Sequence, residues 1–250
     1  MQPIGLAASF LWFGIPSAIF SWFMLWWLPR LMASGMSPLP IFLLTFATPL
    51  ALMLLAALVV YRREGNAWTW PAFRERMRLR RMNAGDWLWT IGAVAGVMLV
   101  GRLLSPLLGG HELIRFYTHP AGFTEFMTRM STIGPEWVGI PLKGNWLVLV
   151  AYIVVLLVFN IFGEELWWRG IILPRQELAL GQYAWIVNGV LWAAFHAFYH
   201  TTLASFLMFV PGTTLIAFVC QKRKSTWPGI IAHTIQNSAM PIMLAKGIMS

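Results

Sequence analysis

Apolar runs, each long enough to cross a bilayer, recur along almost the whole chain, near residues 4–29, 40–60, 87–108, 146–172, 183–200, 202–221 and 226–247. A helix needs about 20 mostly apolar residues to span the hydrocarbon core. The fold expected is therefore all-α: a polytopic transmembrane bundle of about seven spans, one domain over residues 1–250. Composition agrees. Hydrophobic residues make up 58% and charged residues 11%, about half the charged share of a globular domain. Such a chain has too little polar surface to face water, which excludes a disordered chain, a collagen-like fibre and an ordinary cytosolic enzyme. The single cysteine, Cys220, excludes an internal disulfide framework and a cysteine-rich metal site. No basic residue precedes the first run, and it is longer than a signal core, so it is expected to stay as an anchor.

The net charge of +9 lies mainly in clusters flanking the apolar runs, without a basic face interleaved with aromatics. It reads as topology rather than as nucleic-acid binding. Loop 61–86 holds Arg62, Arg63, Arg74, Arg76, Arg78, Arg80 and Arg81 against Glu64, Glu75 and Asp86. By the positive-inside rule it is cytoplasmic, and the Lys222–Lys224 cluster counts to the same side. Loop 109–145 then faces outward. The stretch 68–87 is expected to be a solvated connector gripping acidic headgroups. Pro211-Gly212 falls inside the sixth run, where neighbouring helices must satisfy freed backbone groups.

Ionisable residues inside a span are costly and usually functional. Arg102, near the outer end of the third run, can snorkel and is assigned no chemistry. After residue 160 the picture changes: Glu164, Glu165 and Arg169 lie in the fourth run, His196 and His200 in the fifth, His233 and Asn237 in the seventh. Glu165 and Arg169 are four apart and can pair along a helix. Glu164 lies about 100° round the helix from Glu165, free to act as a base. His233 and Asn237, also four apart, offer two adjacent donors of the kind a developing oxyanion requires. His196 and His200 have the spacing of a helical zinc pair but lack an HExxH arrangement. His200, beside Thr201 and Thr202 at a helix end, reads as solvated. With the turn between the fourth and fifth runs near Gly181, Glu164 and His196 come to similar depth, and the constellation is expected in the cytoplasmic half, reached from that side. Glue between helices, or a proton relay in a transporter or scaffold, would use the same residues.

At these residues the chain resembles the CPBP family of CAAX-processing and bacteriocin-processing intramembrane proteases, also called the Abi group. Its Glu-Glu-x-x-x-Arg motif is matched by Glu164, Glu165 and Arg169, followed by Gly170; its His-x-x-x-Asn motif by His233 and Asn237. Its Phe-x-x-x-His motif is matched at His196, with Trp192 in place of the phenylalanine. The resemblance covers about residues 145–240, making 146–250 the catalytic core and 1–145 the supporting spans. It implies an intramembrane endopeptidase with a water-accessible cavity. Glu164 and His196 would activate water, His233 and Asn237 would hold the oxyanion, and Glu165 and Arg169 would support them. The family is described both as zinc-dependent and as metal-free. A metal-free site is expected here, with Glu164, His196 and His233 as the zinc ligands otherwise. The implied partners are membrane lipids and a peptide or lipidated protein substrate, not nucleic acid. The implied location is a prokaryotic cytoplasmic membrane, as a multi-pass integral protein.

Overall fold

The computed structural model describes residues 1–250, and the chain is an all-helical bundle. Its helices are α1 (Leu6–Ala33), α2 (Pro38–Arg63), α3 (Trp70–Arg76), α4 (Ala84–Leu108) and α5 (Ala121–Ser131), followed by α6 (residues 146–180), α7 (Ala184–Phe195), α8 (Leu203–Arg223), α9 (Trp227–Gln236) and α10 (Ala239–Met249). A two-residue β-hairpin, Glu136–Trp137 against Ile140–Pro141, interrupts the 109–145 loop. Five helical stretches are long and apolar enough to cross a membrane, one of them running over residues 146–198. That stretch folds back at Gly181, whose φ of 59° suits a residue without a Cβ. Its arms, α6 and α7, are antiparallel: Asn188 donates to the Trp168 carbonyl at 3.1 Å and to Gln176 at 2.9 Å. The expected seventh span is two short helices instead, broken at Asn237 and Ser238.

Arginine pairing organises one end of the bundle. Arg76 and Arg175 share Glu64, Arg78 and Lys224 share Glu177, and Arg80 and Arg223 share Asp86. Alternate arginines of the 76–80 segment thus each stitch a different helix end. The Thr226 hydroxyl donates to the Met77 carbonyl at 2.7 Å, and Met77 is fully buried. Residues 76–80 are therefore a structural clasp, which corrects the reading of 68–87 as a solvated connector for that part, while Trp68, Trp70 and Trp87 on either side are exposed. Buried carboxylates here need their partners, since an unpaired buried charge is costly. Loop 61–86, the Gly181 turn and the Lys222–Lys224 cluster all lie at this arginine-rich end. The 109–145 loop and α10 meet at the other, where the Gly144 amide donates to the Ile248 carbonyl.

α8 continues through Pro211, with the Thr213 and Thr214 hydroxyls both bonded to the Val210 carbonyl. It packs so closely on α7 that a Cβ at Gly189 would collide with the Thr214 backbone. α4 is exposed over most of its length, including Arg102, as a helix facing lipid would be.

Candidate active site

α6 departs from regular α geometry around its two glutamates. Residues 155–162 and 166–172 are wound in wider i→i+5 turns, and Gly163–Glu165 sits between them. Such turns are strained and concentrate at functional sites. Gly163 lets this part of the helix approach the Leu50 carbonyl of α2, where an added Cβ would come to 3.1 Å.

The two glutamates point to different surroundings. Glu165 is fully buried; its Oε1 accepts from Arg169 Nη1 at 3.1 Å and from His233 Nδ1 at 3.0 Å. Its Oε2 packs against Gly229, where a Cβ would overlap it. The Arg169 guanidinium lies 3.7 Å from the ring centre of Trp192, a cation–π contact that gains strength away from water. Glu164, 2% exposed, lines the chamber instead. Its Oε2 accepts two indole N–H groups, from Trp192 at 2.8 Å and Trp168 at 3.2 Å.

His196 begins the single turn that ends the α7 arm. Its Nδ1 is 2.9 Å from the Trp192 carbonyl. A carbonyl only accepts, so Nδ1 carries the proton and Nε2 is left with a lone pair. The same logic protonates His233 Nδ1 against the Glu165 carboxylate. Asn237 closes α9, and its Nδ2 donates to the His233 carbonyl at 3.0 Å, leaving the second amide proton unused.

Glu164, His196, His233 and Asn237 all line one cavity of about 310 Å³. Glu165 and Arg169 lie behind it. The wall also holds residues that sequence reasoning missed or discounted. Asn160, one turn before Glu164, lines the cavity with a buried Oδ1 that has no partner; a lone amide inside an apolar run was the available signal. His200 is buried against Phe209 with neither ring nitrogen bonded. It is not solvated, contrary to expectation, because residues 114–116 of the outer loop hydrogen-bond over residues 201–203. His196 and His200 are not a helical pair either, because α7 stops at Phe195.

The chamber is set toward the end that carries the 109–145 loop. Met127 of α5 lines it, and Tyr117 and His119 hydrogen-bond the carbonyls of Ala197 and Phe198 beside it. This corrects the expectation that the constellation sits in the half nearest the arginine-rich loops. The outer loop roofs the end of α7, and Glu164 lies roughly 25 Å of helix away from the Gly181 turn.

No three His, Cys, Asp or Glu side chains come close enough together to hold a metal ion. His233 Nδ1 and one Glu164 oxygen are already engaged, while Nε2 of His196, Nε2 of His233 and the other Glu164 oxygen make no hydrogen bond.

An apolar bundle with a carboxylate, three imidazoles and several amides lining one chamber has the make-up of an intramembrane hydrolase. Residues 145–239 match the family model described as type II CAAX prenyl endopeptidase Rce1-like. The match spans well under half of the chain but includes Glu164, His196, His233 and Asn237, and over that segment the chain is similar to CAAX-type intramembrane proteases. No curated protein and no solved structure matches it.

Proposed function

We propose that the protein is an intramembrane endopeptidase acting near the C-terminus of apolar or lipidated peptides, with Glu164 as the base. The observation that carries this reading is the shared cavity, which Glu164, His196, His233 and Asn237 line while Glu165 and Arg169 stay behind the wall. A water between Glu164 and His196 gives a proton to Glu164 as its oxygen attacks the scissile carbonyl carbon. The carbonyl π electrons move onto oxygen, and the oxyanion is held by the second amide proton of Asn237 and by His233 Nε2–H. For that, His233 carries both ring protons, and Glu165 beside Nδ1 is the counter-charge. Glu164 then returns its proton to the amide nitrogen, the C–N bond breaks, and an acid and an amine leave. General base catalysis and oxyanion stabilisation of this kind each contribute about 10²-fold or more.

The reaction needs no Lewis acid, and the lack of three converging ligand side chains favours a metal-free step. An apolar annex of about 210 Å³ shares Phe46, Met127, Asn160 and Asn237 with the chamber. It would receive an apolar side chain or lipid group of the substrate. The test is digestion of a C-terminally farnesylated peptide and its unmodified twin by the purified protein in detergent, with products located by mass spectrometry. Cleavage at an internal bond near the C-terminus supports the reading. Intact peptides under conditions where the protein stays folded would favour a proton relay or scaffold.

A further inference from the structure

α1 and α2 leave an open apolar groove of about 440 Å³ that shares no lining residue with the chamber. Leu11, Ile15 and Ile19 form one wall, Leu52 and Ala56 the other, and Trp167 the floor. Trp167 stacks on Trp12 with ring centres 5.2 Å apart. Directly toward the arginine-rich end, Trp12 also lines a second, polar pocket of about 470 Å³ with Val60, Arg63, Glu64 and Arg175. The two cavities are consecutive along the helices. Ala56, Val60 and Arg63 continue one stripe of α2 at the three- and four-residue spacing of a single helix face.

The charge in the polar pocket is unbalanced. Glu64 is shared between Arg76 and Arg175, so two guanidinium groups already face one carboxylate. Arg63 makes no ion pair and no side-chain hydrogen bond, and is exposed. The Arg175 guanidinium lies 5.0 Å from the ring centre of Trp12, at the junction of the two cavities. Pro49, at the far end of the groove, is fourteen residues from Arg63, or roughly 21 Å along the helix. That is somewhat more than the ~15 Å of hydrocarbon in one leaflet. A cationic pocket at headgroup level above an apolar trough of leaflet depth has the form of an amphiphile with a negative head.

We propose that the α1–α2 groove and the basic pocket above it are one binding site for an anionic phospholipid, its acyl chain along the trough and its phosphate at Arg63 and Arg175. The site is separate from the chamber, and its occupancy does not depend on peptidase activity. Since Trp167 lies next to Trp168, which bonds Glu164, the bound chain packs against the residue adjoining the site's support.

The probe is phosphatidylglycerol against phosphatidylcholine. The protein is reconstituted in bilayers of equal parts of the two, re-extracted in mild detergent, and its co-purifying lipid quantified by mass spectrometry. The wild type should retain phosphatidylglycerol preferentially. Arg63→Gln should reduce that preference roughly fivefold, the scale of one basic residue at a membrane surface. Ala56→Trp, which fills the trough, should reduce it as well. Arg62→Gln, whose guanidinium is turned to the Asn66 carbonyl, should leave it unchanged. Equal retention of both lipids would overturn the proposal. So would an Arg62→Gln loss equal to that of Arg63→Gln, which would mean diffuse surface charge. Displacement of the lipid by millimolar glycerol phosphate alone would overturn it too, by showing a phosphate pocket without a role for the trough.

Discussion

The indole N–H of Trp192 donates to Glu164 Oε2 at 2.8 Å, linking the end of α7 to the glutamate of α6. The same side chain offers its face to Arg169, and its backbone carbonyl fixes His196 Nδ1. One residue thus touches the proposed base, the buried cation and the proposed water-orienting imidazole. A phenylalanine, which the related motif carries at this place, could supply the face and the carbonyl but not the N–H.

Trp192→Phe isolates that hydrogen bond. Bonds to charged groups are worth about 1.5–3 kcal/mol, so kcat should fall about tenfold or more while KM changes little. Melting temperature should drop by no more than a few degrees, because ring packing is kept. Unchanged kcat in a peptide-cleavage assay would remove Trp192 from the site's support.

Arg169→Ala leaves the Glu165 carboxylate in the interior with only His233 as a partner. Stranding one member of a buried pair costs about 3–5 kcal/mol, so both thermal stability and activity should fall. Gly229→Ala reaches the same carboxylate sterically, since the added Cβ overlaps Oε2. It should also lose stability. A stable but inactive Arg169→Ala protein would instead give Arg169 a direct part in the reaction.

Acid should loosen the arginine clasp. Burial raises the Glu64 carboxyl, but hydrogen bonds and charge from Arg76 and Arg175 outweigh it and hold the group at about 2, below its ordinary 4.5. A carboxyl lowered in the folded state stabilises fully above its unfolded value, and that contribution is lost as pH falls through the folded one. Melting temperature should therefore decline between about pH 4.5 and 2. Glu64→Gln should be less stable at neutral pH and show a shallower decline over that window. Parallel curves for the two proteins would contradict the assignment.

Metal dependence is tested by dialysis against a strong chelator followed by peptide cleavage and elemental analysis. Retained activity with substoichiometric zinc is the expected result. Activity lost on chelation and restored by zinc alone would require Glu164, His196 and His233 to rearrange into a ligand set.

Much of this organisation was legible in the sequence because hydrophobic length and arginine asymmetry are strong signals. The apolar runs mark the long helices, and Gly181 between polar residues marks the reversal that antiparallel α6 and α7 require. The break at Asn237 was not legible: residues 226–247 are apolar enough for one span, and only the fold reveals two short helices with Asn237 turned into the chamber. The clasp was hidden for a different reason. Charge counting treats Arg76, Arg78 and Arg80 alike with their neighbours, whereas pairing with Glu64, Glu177 and Asp86 depends on contacts between distant segments. The depth of the chamber was misjudged because the helix from Gly181 back to Glu164 is roughly 25 Å long, past the middle of a ~30 Å core, and because the outer loop folds over residues 198–203.

The most direct measurement is single-turnover cleavage of a peptide substrate by Glu164→Gln beside the wild type, with both proteins matched in melting temperature. Glutamine keeps an acceptor oxygen for the two indole donors but cannot take a proton from water. The chemical step should slow about 10²-fold or more with the fold intact. Near-normal turnover in Glu164→Gln would contradict it.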